Sequence, residues 1–203
     1  MTLDDTSRRD PPLRPDLTPL AVRPHRRWLR PLAVVGVIVV VTFGGWAVAA
    51  LLAKPAGPLV GFPGVVTVQP LSGWQDAGRH DTPGTPFQRL TRGGGNLDVV
   101  VVVPYSRPAG NLVEDYVNKV LRNQLSQVSL SRLTRVTLGN RMAGLRFTYV
   151  GVTQSTSQPI EGEVTVVVTP SSQGVVFDGW APQGLLSFVR DDIHTMVFRA
   201  QVS

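Results

Sequence analysis

The chain has 203 residues, a net charge of +6 and no cysteine. Without cysteine there is no disulfide framework, no thiolate metal site and no lipid-modified cysteine, and basicity this mild and this spread gives no sign of a nucleic-acid surface. The length leaves room for one domain that buries its own core, with appended segments.

Residues 1–31 hold six prolines, seven arginines and four aspartates, a local net charge of +3. So little apolar surface cannot offset the entropy of ordering the backbone, and the segment reads as a disordered Pro/Arg-rich tail. Leu32 to Ala53 (LAVVGVIVVVTFGGWAVAALLA) then runs 22 residues without a charge. A helix of that length reaches about 33 Å, enough to cross a bilayer core. Arg8, Arg9, Arg14, Arg23, Arg26, Arg27 and Arg30 precede the run, and only Lys54 follows closely. The positive-inside rule therefore places 1–31 in the cytoplasm and 54–203 outside, a single pass through the cell membrane with the lipid bilayer as partner. Gly36, Gly44 and Gly45 allow close approach of other membrane proteins. The alternative is cleavage: Ala47-Val48-Ala49 is a small-x-small site whose use would release a secreted domain near Ala49. Both readings deliver the same domain outside.

Residues 54–63 (KPAGPLVGFP) read as a linker, and the folded domain is expected over 64–203. Val65 to Gln69 is a short strand, Pro70 to Gly73 a turn, and Thr85 to Arg92 a second strand. Gly93-Gly94-Gly95 reverses the chain into Leu97 to Val103, where consecutive apolar residues mark a central strand covered on both faces. A helix is predicted from Asn111 to Val128, capped by Asn111 with Glu114 three residues on; Leu112, Val113, Tyr116, Val117, Leu121 and Leu125 belong to its apolar stripe. Alternation returns in Arg135 to Leu138, Met142 to Val150 and Glu161 to Thr169, and Pro170 to Gly174 turns into Val175 to Trp180. A second helix is expected over Gln183 to Met196 behind Pro182, with Phe198, Ala200 and Val202 alternating as a last strand. Runs of strands separated by single helices give an α+β class, an antiparallel sheet with two packed helices.

Residues able to do chemistry are scattered. His25 lies in the tail, His80 in a turn-rich loop and His194 on the last helix; none has the companions of a metal site. No serine sits in a Gly-x-Ser-x-Gly elbow, and the triple glycine lacks the Lys-Ser/Thr of a phosphate loop. Glu161 and Glu163 share a strand face, as a cation-binding pair or as a solvated strand edge. No catalytic residue, cofactor site or metal site is expected. Recognition remains: Trp74 reads as core, Trp180 as a pocket rim and Tyr105 as part of a ligand or partner surface. Arg132, Arg135, Arg141 and Arg146 gather around one hairpin, to contact acidic envelope polymer or lipid headgroups, or simply as a solubilising edge.

Pro70, Gly73 and Trp74, the helix after the Val-rich strand, VTLGNRMAGLRFTYVG (Val136 to Gly151) and the closing MVFRAQV together resemble exported actinobacterial domains of the Mog1/PsbP-like α/β/α sandwich superfamily. They also resemble the C-terminal domain of some type VII secretion-associated actinobacterial membrane proteins. Eighteen arginines against two lysines, with heavy use of Val, Gly, Ala and Pro, accord with a GC-rich actinobacterial source. The resemblance implies a non-catalytic accessory, scaffolding or ligand-binding module. Many exported relatives are lipoproteins, whereas this chain carries an apolar helix. The expected function is a membrane-anchored extracytoplasmic binding or scaffold module of the cell envelope, accessory to a secretion or envelope complex. The alternative is a carrier or sensor of a small apolar ligand or lipid.

Overall fold

The computed structural model describes residues 57–203 apart from residue 83. The tail over 1–31 and the transmembrane helix expected over Leu32 to Ala53 lie outside the described residues, among which no helix is long and apolar enough to cross a membrane. The strands are β1 (Val60–Phe62), β2 (Val66–Val68), β3 (Gln75–His80), β4 (Phe87–Arg92), β5 (Gly95–Val102), β6 (Leu125–Leu130), β7 (Thr134–Thr137), β8 (Ala143–Thr153), β9 (Pro159–Val168), β10 (Gly174–Pro182) and β11 (Gln201–Val202). The helices are α1 (Ala109–Tyr116), which continues through a π turn (Val117–Leu121) into α2 (Arg122–Gln124), and α3 (Arg190–Arg199), entered through a 3-10 turn (Leu186–Phe188).

The Val-rich strands β5 and β10 pair antiparallel at the centre, Val102 opposite Gly174 and Asn96 opposite Trp180. Around them an eight-stranded sheet runs in the order β3-β4-β5-β10-β9-β8-β6, with β7 pairing β8 beside that path. Strands apolar on both faces need a cover on each side. On one side α1 and the π turn lay Leu112, Val113, Tyr116, Val117 and Leu121 over Val100, Phe147, Val164 and Val176. On the other, Ile193, Met196 and Val197 of α3, together with a small sheet ordered β1-β2-β11, cover Leu97, Val99 and Phe177. This is the α+β architecture expected, an antiparallel sheet between packed helices, with a second small sheet added.

Several boundaries differ from the sequence reading. Strand β1 falls inside the segment read as linker and pairs β2, so ordered structure begins before Gly64. Strand β3 was legible only as a loop, because its six residues, QDAGRH, are nearly all exposed at the sheet edge and carry no apolar alternation. The first helix starts two residues earlier than predicted, with Pro108 and not Asn111 at its N-cap and no side-chain cap. It also ends at Gln124 instead of Val128. Leu125 is still buried, but from β6, which adds to the long edge of β8 with a bulge at Ser126 to Ser129 and Gln127 at a φ of 53°. Sheet pairing has overridden helical spacing here. The last helix begins at Arg190 and not Gln183, since Gly184 takes a φ of 88° that no helix accepts; Asp191 and Asp192 occupy its first turn, where the helix dipole favours negative charge. Phe198 belongs to this helix and is exposed, leaving β11 only Gln201–Val202.

Trp74 is buried, and its indole N–H donates to Asp192 Oδ2 at 3.0 Å, while Arg92 pairs with the same carboxylate. The indole thus ties α3 to the sheet. Trp74→Phe is expected to lower stability by about 1–2 kcal/mol, measured as a shift of the denaturant midpoint with unchanged far-UV circular dichroism.

Candidate binding cavity on the α1 face

The face beneath α1 is not wholly covered. Beside the π turn a cavity of about 490 Å³ opens between helix and sheet, with Phe87, Arg89, Asp98, Tyr116, Asp178 and Trp180 among its lining residues. π turns are frequent at functional sites, because the extra residue per turn re-aims the side chains that follow. A second cavity of about 750 Å³ adjoins it along the helix; Thr82, Thr85, Tyr116, Lys119 and Val120 border both.

Register sets the polar floor. Asp98 on β5 stands opposite both Arg89 on β4 and Asp178 on β10. The Arg89 guanidinium grips Asp98 in a fork, Nε to Oδ1 at 2.6 Å and the second nitrogen to Oδ2 at 2.7 Å. The Trp180 indole N–H donates to the same Oδ2 at 3.1 Å. Arg89 lies over the rings of Phe87 and Trp180, at 5.1 and 5.4 Å from their centroids. Its own pKa is raised by the hydrogen bond to Asp98, which outweighs burial.

Asp178 is 4 % exposed and has no such cation of its own. Tyr116 donates to Oδ2 at 2.7 Å and Tyr149 to Oδ1 at 3.0 Å. Burial pushes the carboxyl up to about 7; neighbouring Asp98 adds to the rise, and the two phenols and Arg89 only partly oppose it. Burial likewise holds both phenols well above the ordinary tyrosine range, with the Asp178 charge reinforcing the shift. Tyr149 reaches Asp178 across β9 because position 162 is glycine: a Cβ there would stand 2.4 Å from the Tyr149 ring.

The residues expected from sequence to form a surface do not converge. Trp180 is half-buried at the rim of the first cavity and Tyr105 lines the second, buried, donating to Asp115 at 3.2 Å. Arg141 is exposed in the turn after β7 at a φ of 65°. Arg146 lies on the opposite face of the sheet, where Nε meets Glu163 at 3.2 Å and Thr165 Oγ1 at 3.1 Å. Arg132 and Arg135 are exposed, whereas Arg146 is partly buried.

Glu161 and Glu163 do share a face, but of an inner strand and not an edge. Glu161 accepts the backbone N–H of Gly184 and of Leu186 at 2.9 and 3.0 Å. Glu163 meets His194 Nε2 at 2.5 Å. Its burial raises the pKa, but the His194 hydrogen bond and the charges of Arg146, His194 and Arg190 bring it below the usual range. His80 ends β3 and stacks on Phe87 at 4.6 Å. Among the described residues no three His, Cys, Asp or Glu side chains gather as a metal site, and no hydrogen bond joins a serine hydroxyl to a histidine ring.

Sequence reasoning did not single out Asp98, Asp178, Arg89, Tyr116 or Tyr149 as a site. The signal was present: Asp98 in LDVVVVV and Asp178 in VVFDGW each place one carboxylate in an otherwise apolar strand, and a charge there requires partners from other elements.

No protein-family model and no curated protein matches the chain. Among solved structures, the Saccharomyces cerevisiae Ran-binding protein Mog1p is similar at 10 % identity with a TM-score of 0.51, covering 73 % of this chain and 96 % of that one. Cyanobacterial PsbP from Synechocystis is similar at 13 % identity and TM-score 0.49, covering 74 % and 100 %. LpqN, described as involved in cell envelope biogenesis of Mycobacterium tuberculosis, is similar at 12 % identity and TM-score 0.48, covering 72 % and 90 %.

Two outcomes test the geometry. The Asp178 carboxyl titrates near 7 in the fold against 3.8 ordinarily, so the folded state binds more protons between those values and stability falls as pH rises through that window. The thermal midpoint is expected to drop between pH 5 and 8 by more in the native chain than in Asp178→Asn; equal slopes would contradict the assignment. Gly162→Ala is expected to cost about 1–3 kcal/mol by forcing the Tyr149 ring aside, read from denaturant melts. In architecture, residues 57–203 form an α/β/α sandwich similar in fold to Mog1p.

Proposed function

We propose that the protein is a non-catalytic binding module of the actinobacterial cell envelope, held at the outer face of the membrane by Leu32 to Ala53 and accessory to a secretion or envelope complex. The observation that carries the binding role is the cavity beside the π turn, whose aromatic and aliphatic walls are interleaved with polar and charged side chains, one of them an acid with a shifted pKa. Ligand sites have this anatomy. Mog1p, which shares the fold, is a Ran-binding protein, so a protein partner seated over the cavity mouth accords with this reading. The placement outside the membrane rests on the apolar run and the arginines before it.

A second reading, a carrier or sensor of a small apolar ligand or lipid, is favoured by the aliphatic walls at Val120, Leu121, Leu125 and Ile160. The two separate in one preparation. Full-length protein extracted in mild detergent is expected to retain a partner protein, reduced about tenfold or more by Trp180→Ala at the rim. A bound lipid in native mass spectrometry, without a partner, supports the second reading, and a chain carrying neither overturns both. A reporter fused after Ser203 is expected to be active outside the cell; activity only in the cytoplasm would refute the topology.

A further inference from the structure

The cavity floor has an unbalanced charge. Arg89 is committed to Asp98 through both arms of its fork. Lys119, at the rim, holds Asp115 at 3.1 Å. Asp178 accepts hydrogen bonds from the neutral phenols of Tyr116 and Tyr149 and has no ion-pair partner, and each of its oxygens accepts one of these bonds while retaining further acceptor capacity. With Asp98 and Asp178 ionised, the floor carries two negative charges against the single positive charge of Arg89.

The walls suit a cation as well. Phe87 and Trp180 already flank a guanidinium, and Tyr116 and Tyr149 bring two more aromatic rings to the same lining. Aromatic faces attract organic cations more strongly when water is excluded. Beyond the rings lie Val120, Leu121, Leu125 and Ile160, which offer apolar contact to a tail but nothing to a second charge. An anion would approach two carboxylates, with the Arg89 fork already occupied.

We infer that this cavity binds a small organic cation, an alkylammonium, whose head group answers Asp178 among the aromatic rings and whose apolar tail lies along the π turn. The inference rests on the reading of the cavity as a ligand site. The groups facing Asp178 are Tyr116 of α1, Tyr149 of β8, Asp98 of β5 and Arg89 of β4, with Lys119 of the π turn at the rim. Burial carries the Asp178 carboxyl itself up to about 7.

The test is calorimetric titration of the full chain in lipid nanodiscs with n-hexylammonium, hexanol and hexanoate, empty discs serving as the blank. Hexylammonium is expected to bind about tenfold or more tightly than the other two, and Asp178→Asn to abolish the difference. Should that variant fail to fold, the native chain decides: hexylammonium affinity rises between pH 6 and 8 as Asp178 ionises, while hexanol affinity stays level. Equal affinities for all three compounds, or a hexylammonium affinity flat with pH, overturn the inference and leave the cavity as a ligand site. Binding of none overturns both.

Discussion

The constraint on which the structure depends is that β5 and β10 are apolar on both faces and lie next to each other, so the sheet they anchor must be covered twice. One cover is made by two elements: α3 and the small sheet β1-β2-β11 bury Leu97, Val99 and Phe177 against their own apolar residues. The other is a single helical segment ending at Gln124, after which the chain leaves as a strand. A segment that short cannot span eight strands. Where it falls short, the sheet presents Arg89, Asp98, Asp178 and Trp180 to a cavity.

The two faces treat buried acid in opposite ways, and the difference is the supply of cations. Glu163 has Arg146 and His194 within reach, and its carboxyl is held below the ordinary range despite burial. Asp178 has phenols, which donate hydrogen bonds but bring no charge, and burial carries its carboxyl upward. Breaking a buried charge network is costly, and leaving one buried acid incompletely compensated is costly too. The first arrangement fastens a helix to a sheet. The second leaves electrostatic demand at the wall of a cavity.

Small residues decide how these groups meet. Gly162 lets Tyr149 lie across a neighbouring strand to reach Asp178, and Gly179 leaves room for Ile193 on the opposite face. The π turn has a related effect on the helix side. It alters the angle at which Val117 and Leu121 face the sheet and places Lys119 and Val120 at the cavity margin.

Much of the architecture was legible in the chain itself, because hydrophobic periodicity is local. The run LDVVVVV announced a strand covered on both faces, the stripe from Leu112 to Leu121 announced a helix, and the alternation in Met142 to Val150 announced a strand. The elements that escaped are those whose identity depends on a neighbour: β3, polar and held only by pairing with β4; β1, short and held by β2; and β6, where the open edge of β8 captured residues with helical spacing. The site divides in the same manner. Trp180 was visible as an aromatic in a loop-like context, and the carboxylates of Asp98 and Asp178 were visible as charges in apolar strands. That they stand opposite each other, that Arg89 answers one and two tyrosines from distant elements answer the other, follows from strand register and helix placement. Sequence alone determined the central strands and the apolar face of the first helix, because burial preference is written residue by residue. Only the tertiary structure decided which charge would be left without a cation, because compensation is a property of distances between elements.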